Sequence, residues 1–194
     1  MPAFPAGVSA VILAGGKGAR LQGADKGLRS VSGKPLIAWV TAALQAQVTN
    51  IAICANRNLA QYAQYARVIS DAGTPFRGPM AGVLAALKNA NSDWVLTVPV
   101  DCPRLPSDLV DRLYQAACQA SGSVVHDGKQ RQPLFALYSR SLEAAAAEAL
   151  NCDQPVWRFQ EESGMIVVDF SDVHEAFVNL NTADDFVAFE RGEK

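Results

Sequence analysis

The strongest constraint on the fold is a short apolar run near the N-terminus that ends abruptly in glycines. Val8 to Leu13 is almost entirely apolar, and Gly15 and Gly16 follow after a single alanine. A run of this length bounded by glycine indicates a strand buried on both faces, because it lacks the alternation of a half-exposed strand. The glycine-rich segment that follows predicts an anion-binding loop at the carboxyl end of this strand.

Basic residues are concentrated in this loop, although the whole chain is mildly acidic. The 194 residues hold 17 Lys and Arg against 19 Asp and Glu, a formal net charge of -2. Between residues 15 and 34 there is a single acid, Asp25, and the bases are Lys17, Arg20, Lys26, Arg29 and Lys34. The net charge argues against a nucleic-acid-binding surface, so we expect no nucleic-acid partner. The local cluster beside glycines favours phosphate binding.

Composition limits the class of protein. With 49% hydrophobic and 19% charged residues, the chain can bury the core of one large α/β domain. The four cysteines form no Cys-x-x-Cys pair and neither histidine lies near them, which argues against a zinc or iron–sulfur site. We find no signal-peptide pattern and no apolar stretch of about 20 residues, so we expect a reduced, cytoplasmic protein without a membrane span. We also expect a monomer.

Strand and helix patterns alternate through the first two thirds of the chain. After the first strand, strands are predicted at 50–55, 67–70 and 94–98, and helices at 35–47, 80–89 and 107–120. This alternation favours right-handed βαβ units. It therefore predicts a single-domain, three-layer α/β/α fold with a mostly parallel, Rossmann-like sheet.

The last third adds an antiparallel element. Strands at 123–126 and 134–138 flank a polar turn and predict an antiparallel hairpin inserted into or beside the sheet. Further strands are predicted at 165–169 and 176–180. Ser107 is predicted to cap the helix that it precedes, and Thr182 to cap a last helix ending near Glu190.

Three chemically distinctive groups follow predicted strands: the Gly15 loop, Asp71 and Asp101. Ligands of open α/β sheets bind at the carboxyl ends of the strands, so these groups are predicted to share one site. Two well-known phosphate loops do not fit. Gly33-Lys34 is followed by proline rather than Ser or Thr, and the Gly16-Lys-Gly-Ala-Arg-Leu segment lacks the third glycine of a dinucleotide fingerprint.

A set of motifs along nearly the whole chain resembles the bacterial molybdenum cofactor guanylyltransferases, a family of nucleotidyltransferases. The motifs are Leu13-Ala-Gly-Gly16, Arg20, Asp25-Lys-Gly27, Gly33-Lys-Pro-Leu36, Gly78-Pro-Met-Ala-Gly82, Pro99-Val-Asp-Cys-Pro103 and Val178-Asn-Leu-Asn-Thr182. Their shared order and spacing make the resemblance specific, because each motif alone would be modest evidence.

The resemblance implies transfer of GMP from GTP to molybdopterin with Mg²⁺ as cofactor, which releases pyrophosphate and forms the guanine dinucleotide cofactor. It implies one domain over 1–194, with a nucleotide-binding part at about 1–105 and an acceptor-binding part at about 106–194. Other cofactor-biosynthesis proteins and recipient molybdoenzymes are its implied protein partners. Three alternatives remain open: a GDP-sugar pyrophosphorylase, a molybdopterin cytidylyltransferase, and a noncatalytic GTP-binding module.

The resemblance also assigns roles to single residues. The catalytic residues are Arg20, Lys26 and Asp101, and Asp101 is the metal ligand. The nucleotide is bound by Leu13, Ala14, Gly15, Arg20, Lys26, Asn56, Asp71 and Asp101. The acceptor is bound by Gly78, Gly82, Asn179 and Asn181, where the two asparagines are expected on one face of a strand.

Simpler structural roles are also open for these residues. Gly15 can form a tight turn, Lys26 can be a surface lysine, and both Asp71 and Asp101 can be turn formers. The chain also departs from the family pattern at Cys54, where the family often has an asparagine.

Overall fold

The computed structural model describes residues 7–15, 25–71 and 77–192. The strands in these ranges are β1 (Val8–Leu13), β2 (Ser30–Val31), β3 (Lys34–Pro35), β4 (Asn50–Cys54), β5 (Arg67–Ile69), β6 (Trp94–Pro99), β7 (Gly122–His126), β8 (Arg131–Ser139) and β9 (Ile166–Asp169). Within the described chain, seven strands form the main sheet in the order β5-β4-β1-β6-β8-β7-β9, and β2 pairs with β3 in a separate hairpin.

The main sheet is mostly parallel. β1 lies between β4 and β6 and is parallel to both, with Leu13 opposite Cys54 on one side and Pro99 on the other. β8 is antiparallel to both β6 and β7, and β9 is parallel to β7. The predicted sheet with an inserted antiparallel strand is therefore confirmed. The register also brings the carboxyl ends of β4, β1 and β6 to one edge.

Helices cover both faces of the sheet. They are α1 (Leu36–Gln45), α2 (Leu59–Tyr62), α3 (Pro79–Asn89), α4 (Leu109–Ala117), α5 (Glu143–Asn151), α6 (Val156–Glu162) and α7 (Ala183–Glu190). One core packs α1 and α4 against the sheet, and a second core packs α3, α5 and α6 against the opposite face. Ile12 of β1 belongs to the first core and Val11 to the second, which explains why this strand is apolar without alternation. The predicted three-layer architecture is confirmed.

The strand predicted at 176–180 is wrong. A 3-10 helix spans Ser171–Phe177, and residues 178–181 follow outside any strand or helix, with Val178 in an extended conformation. Phe177 packs edge-to-face against Phe135 and Phe170. The apolar residue that suggested a strand is therefore a core residue at the end of the 3-10 helix. The 178–181 segment is joined to the turn after β6 by a backbone hydrogen bond, in which Leu180 N donates to Asp101 O at 2.9 Å.

The predicted cap at Ser107 is also wrong, because a distant residue supplies it. α4 begins at Leu109, and its N-cap residue, Asp108, makes no side-chain capping bond. Instead Gln47, which is 6% exposed, accepts from Val110 N at 3.1 Å and donates to Pro106 O at 2.9 Å. A side chain from a distant part of the chain therefore pairs with a backbone N–H in the first turn of α4, which has no partner within the helix.

The β2–β3 hairpin, which the sequence did not predict, supports the C-terminal helix. Its turn at Ser32 and Gly33 has positive φ at both residues, as in a two-residue hairpin loop. Leu36, Leu180 and Phe186 pack with the hairpin in a small separate core. α7 begins with the predicted Thr182 cap, in a complete capping box with Asp185. None of the helices in the described ranges is long and apolar enough to cross a membrane.

Candidate active site

The end of β1 forms the middle of the candidate site. Ala14 N donates to Cys54 O at 2.8 Å, and Val100 N donates to Leu13 O at 3.2 Å, so the backbone is fixed between two neighbouring strand ends. A methyl group on Gly15 would lie 3.2 Å from Asn56 Nδ2 and 3.4 Å from Asp71 Oδ1. The absence of a side chain at Gly15 therefore lets the main chain approach these two polar groups.

Asn56 and Asp71 form a reciprocal pair beside Gly15. Asn56 Nδ2 donates to Asp71 Oδ2 at 2.5 Å, and Asp71 N donates to Asn56 Oδ1 at 3.1 Å. The first residue follows β4 and the second follows β5, so parallel strand ends bring them together. An amide and a carboxylate in this position can offer hydrogen bonds to the edge of a nucleobase or to a ribose.

Two further residues border this pair. The Cys54 thiol lies 3.4 Å from Asp71 Oδ1 and donates to it. Burial, followed by the negative charge of Asp71, raises the pKa of this thiol well above its ordinary value, so it remains protonated. A methyl group on Gly82 would lie 3.0 Å from Leu13 Cδ2 and 3.8 Å from Asp71 Oδ1. Gly82 of α3, assigned to the acceptor by resemblance, thus lies against Leu13 and Asp71, which the resemblance assigns to the nucleotide.

A second polar group lies at the end of β6. Lys26 Nζ donates to Asp101 Oδ2 at 2.7 Å and to Asn181 Oδ1 at 2.6 Å. The lysine side chain is 22% exposed and that of Asp101 is 18% exposed, so both still face solvent. Since β1 lies between β4 and β6, this group and the Asn56–Asp71 pair lie on opposite sides of the end of β1. The structure therefore places a cation, a carboxylate and close-approaching backbone along one edge.

The two asparagines of the C-terminal motif both contact the residues around Asp101. Asn181 reaches Lys26, whereas Asn179 Oδ1 accepts from the Cys102 thiol at 2.5 Å. Burial, followed by the Asp101 charge, raises the pKa of Cys102, so this thiol is also a neutral donor. The segment that carries the asparagines is not a strand, yet both side chains lie at the same turn.

Gly78 lies farther along this edge. It precedes α3 with φ of +82°, which favours glycine, and a cavity of about 400 Å³ opens beside it. Arg77, Met80, Pro133 and Trp157 are among the residues that line the cavity. Arg20, assigned to the triphosphate, lies outside the described residues, as do Lys17 and the rest of the 16–24 segment of the basic loop.

The donors around Asp101 fit one kind of metal ion. In the described part of the chain, no group of three or more His, Cys, Asp or Glu side chains could enclose a metal. A single, partly exposed carboxylate instead suits Mg²⁺, which retains waters and takes other ligands from phosphates. Asp101 can therefore hold Mg²⁺ in company with a nucleotide.

Two residues near Lys26 were missed from the sequence. Tyr62 and Asn58 both donate to Asp25, the residue before the lysine. They lie more than 30 positions from Asp25 in the chain, and neither belongs to any of the motifs described above. No local pattern could have identified them, because their importance comes only from the packing of α2 against the loop.

Comparison with known proteins agrees with this geometry. A family model described as a MobA-like NTP transferase domain matches residues 10–166. The molybdenum cofactor guanylyltransferase of Vibrio vulnificus is 43% identical over 187 residues, covering 95% of this chain and 96% of that protein. That of Photobacterium profundum is 41% identical over 181 residues, covering 92% of this chain and 93% of that protein.

Among solved structures, the molybdopterin-guanine dinucleotide biosynthesis protein A of Archaeoglobus fulgidus has the same fold. It superposes with a TM-score of 0.76 at 20% identity, over 94% of this chain and 97% of that one. The parallel sheet and the groups at its strand ends define a nucleotidyltransferase-type domain. The chain belongs to the MobA-like NTP transferase family.

Proposed function

We propose that the protein transfers GMP from GTP to molybdopterin, releasing pyrophosphate and forming the guanine dinucleotide form of the molybdenum cofactor. The observation that carries this proposal is the juxtaposition at adjacent strand ends: close-approaching backbone at Gly15, an amide–carboxylate pair, and Lys26 beside Asp101. Nearly full-length similarity to several relatives named molybdenum cofactor guanylyltransferase supports the choice of nucleotide and acceptor.

In this proposal the base and ribose lie over the end of β1. Leu13, Ala14 and Gly15 present backbone groups to them, while Asn56 and Asp71 offer hydrogen bonds. Lys26 leaves its contacts with Asp101 and Asn181 to bind the triphosphate, and Arg20 of the basic loop assists it. Fixed cations stabilise the charge that develops on phosphoryl oxygens, and this is the main catalytic contribution that we assign to these side chains.

Asp101 is proposed to hold Mg²⁺, which when bound would neutralise charge on the phosphates. The terminal phosphate oxygen of molybdopterin attacks the α-phosphorus of GTP in line, a new P–O bond forms, and the bond from the α-phosphorus to the pyrophosphate oxygen breaks. The acceptor phosphate is already ionised, so no general base is required. The neighbouring thiols of Cys54 and Cys102 have raised pKa values and are poor nucleophiles, which supports direct displacement over a covalent intermediate.

The acceptor is proposed to bind on the side of Gly78, Asn179 and Asn181, with Gly82 at the boundary with the nucleotide. We propose in addition that residues up to about 105 bind mainly the nucleotide and residues from about 106 onward mainly the acceptor, with Gly78 and Gly82 as contributions of the first part to the acceptor side. We further propose a monomeric, cytoplasmic enzyme that hands its product to recipient molybdoenzymes and contacts other cofactor-biosynthesis proteins. The four free cysteines support a reducing compartment.

The deciding experiment supplies the protein with Mg²⁺, molybdopterin and one nucleoside triphosphate at a time. We expect pyrophosphate release and a dinucleotide product, identified by mass spectrometry, with GTP only. A product with CTP instead would favour a cytidylyltransferase. GTP-induced thermal stabilisation without pyrophosphate release would favour a noncatalytic GTP-binding module and contradict the proposal.

A further inference from the structure

Asp25 is nearly buried and is held by several donors. Its side chain is 7% exposed. Tyr62 Oη donates to Asp25 Oδ1 at 2.5 Å, and Asn58 Nδ2 donates to Oδ2 at 2.9 Å. Gly27 N also donates to Oδ1 at 3.2 Å, and Arg57 Nε lies 3.4 Å from Oδ2. The carboxylate therefore ties its own turn to the segment that follows β4.

Gly27 completes this arrangement from the other side of the turn. A methyl group there would overlap Tyr62 Oη and come within 2.9 Å of Val100 Cγ2. Tyr62 is fully buried, and burial together with its bond to Asp25 raises the pKa of its hydroxyl, so it stays a donor. We call Asp25, Gly27, Asn58 and Tyr62 the lysine clasp.

Lys26 lies between two residues of the lysine clasp. Its own side chain extends away to Asp101 and Asn181. A lysine side chain has four rotatable bonds, so its ammonium holds one position at low entropic cost only if its backbone is fixed. The clasp fixes that backbone on both sides. It also connects the lysine to the segment that carries Asn56, only two residues before Asn58.

We propose that Asp25 and Tyr62 are positioning residues that hold Lys26 in place for the triphosphate, so that the nucleobase side and the phosphate side of the site are mechanically linked. The inference rests on the proposed function only in assigning the triphosphate to Lys26. Neither residue touches the nucleotide in this account. Each acts through the lysine.

The first test is Tyr62→Phe, which removes one hydroxyl and keeps the ring. We expect the Kd for GTP with Mg²⁺, measured by calorimetric titration, to rise about 10-fold, because Asp25 loses a charge-assisted bond and the turn loosens. Tyr65→Phe is the matched control, since Tyr65 packs against the same core three residues later and should bind GTP like the wild type. An unchanged Kd for Tyr62→Phe would overturn the proposal.

A double-mutant cycle separates positioning from a loss of general stability. In a Lys26→Met background, Tyr62→Phe should have less than about 2-fold effect on GTP affinity, since the residue it positions is gone. Equal effects in both backgrounds would overturn the proposal. Ile37→Val, a fully buried change in α1, serves as a stability control and should leave the Kd unchanged despite a lower Tm. Tight GTP binding by the wild type without dinucleotide formation would reject the proposed function and leave the lysine clasp intact.

Discussion

Lys26→Met tests the ion pair at the centre of the candidate site, because methionine keeps the apolar stem and removes the charge. Lys26 Nζ lies 2.7 Å from Asp101 Oδ2 and 2.6 Å from Asn181 Oδ1, with side-chain exposures of 22% for the lysine and 18% for the aspartate. A pair at this depth lies between exposed pairs, which contribute about 0.2–1 kcal/mol, and buried pairs, whose disruption costs about 3–5 kcal/mol. Loss of both contacts should therefore cost about 2 kcal/mol.

For a chain of this length, about 2 kcal/mol corresponds to a Tm lower by about 4–8 °C. Thermal unfolding of the ligand-free protein measures it directly. Lys34→Met, at an exposed lysine of β3, is the control and should shift the Tm by less than about 2 °C. Lys26→Met should also lower kcat/KM for GTP by about 10²–10³, because the fixed cation proposed to bind the transferring phosphate is lost. A Lys26→Met protein with a wild-type Tm would refute the assigned ion pair.

Two other changes test supporting contacts. Gln47→Ala should lower the Tm by about 3–8 °C, since it leaves the first turn of α4 and a buried carbonyl without their partner, whereas Gln45→Ala on the exposed side of α1 should have little effect. The pKa of the Asp185 carboxyl lies below its ordinary 3.8, mainly because Thr182 N donates a hydrogen bond to it. A hydrogen bond from Asn181 N lowers this pKa further. The hydrogen bonds to the ionised Asp185 carboxylate therefore stabilise the folded protein above about pH 3.8, and this stabilisation is lost as the pH falls through the lowered pKa. Asp185→Asn should flatten the acid limb of Tm against pH, and an unaltered limb would contradict this assignment.

The sequence predicted the parallel part of the fold well, because its signals there are local. β1 was predicted with its observed bounds, since an apolar run buried on both faces ends at a glycine. The grouping of Gly15 with Asp71 also followed from sequence, because parallel strands bring their carboxyl ends together, whereas Asn56 was placed beside them only by the family resemblance.

Contacts between distant segments could not be predicted in the same way. The cap of α4 comes from Gln47, 63 positions before the amide that it accepts from, so the local signal at Ser107 was misleading. The segment at 176–180 has the composition of a strand, but Phe177 is used in aromatic packing of a 3-10 turn. The partners of Asp25 depend on how α2 packs, which no pattern around the motif specifies.

The bond between Lys26 and Asn181 joins residues 155 positions apart. During translation the basic loop therefore emerges from the ribosome long before the asparagine that contacts its lysine exists. The strand ends can gather while synthesis continues, but this corner of the site closes only after the last turns of the chain have been made. A nascent polypeptide halted before residue 181 would thus have its central strands but would lack the hydrogen bond that joins Lys26 to the C-terminal segment.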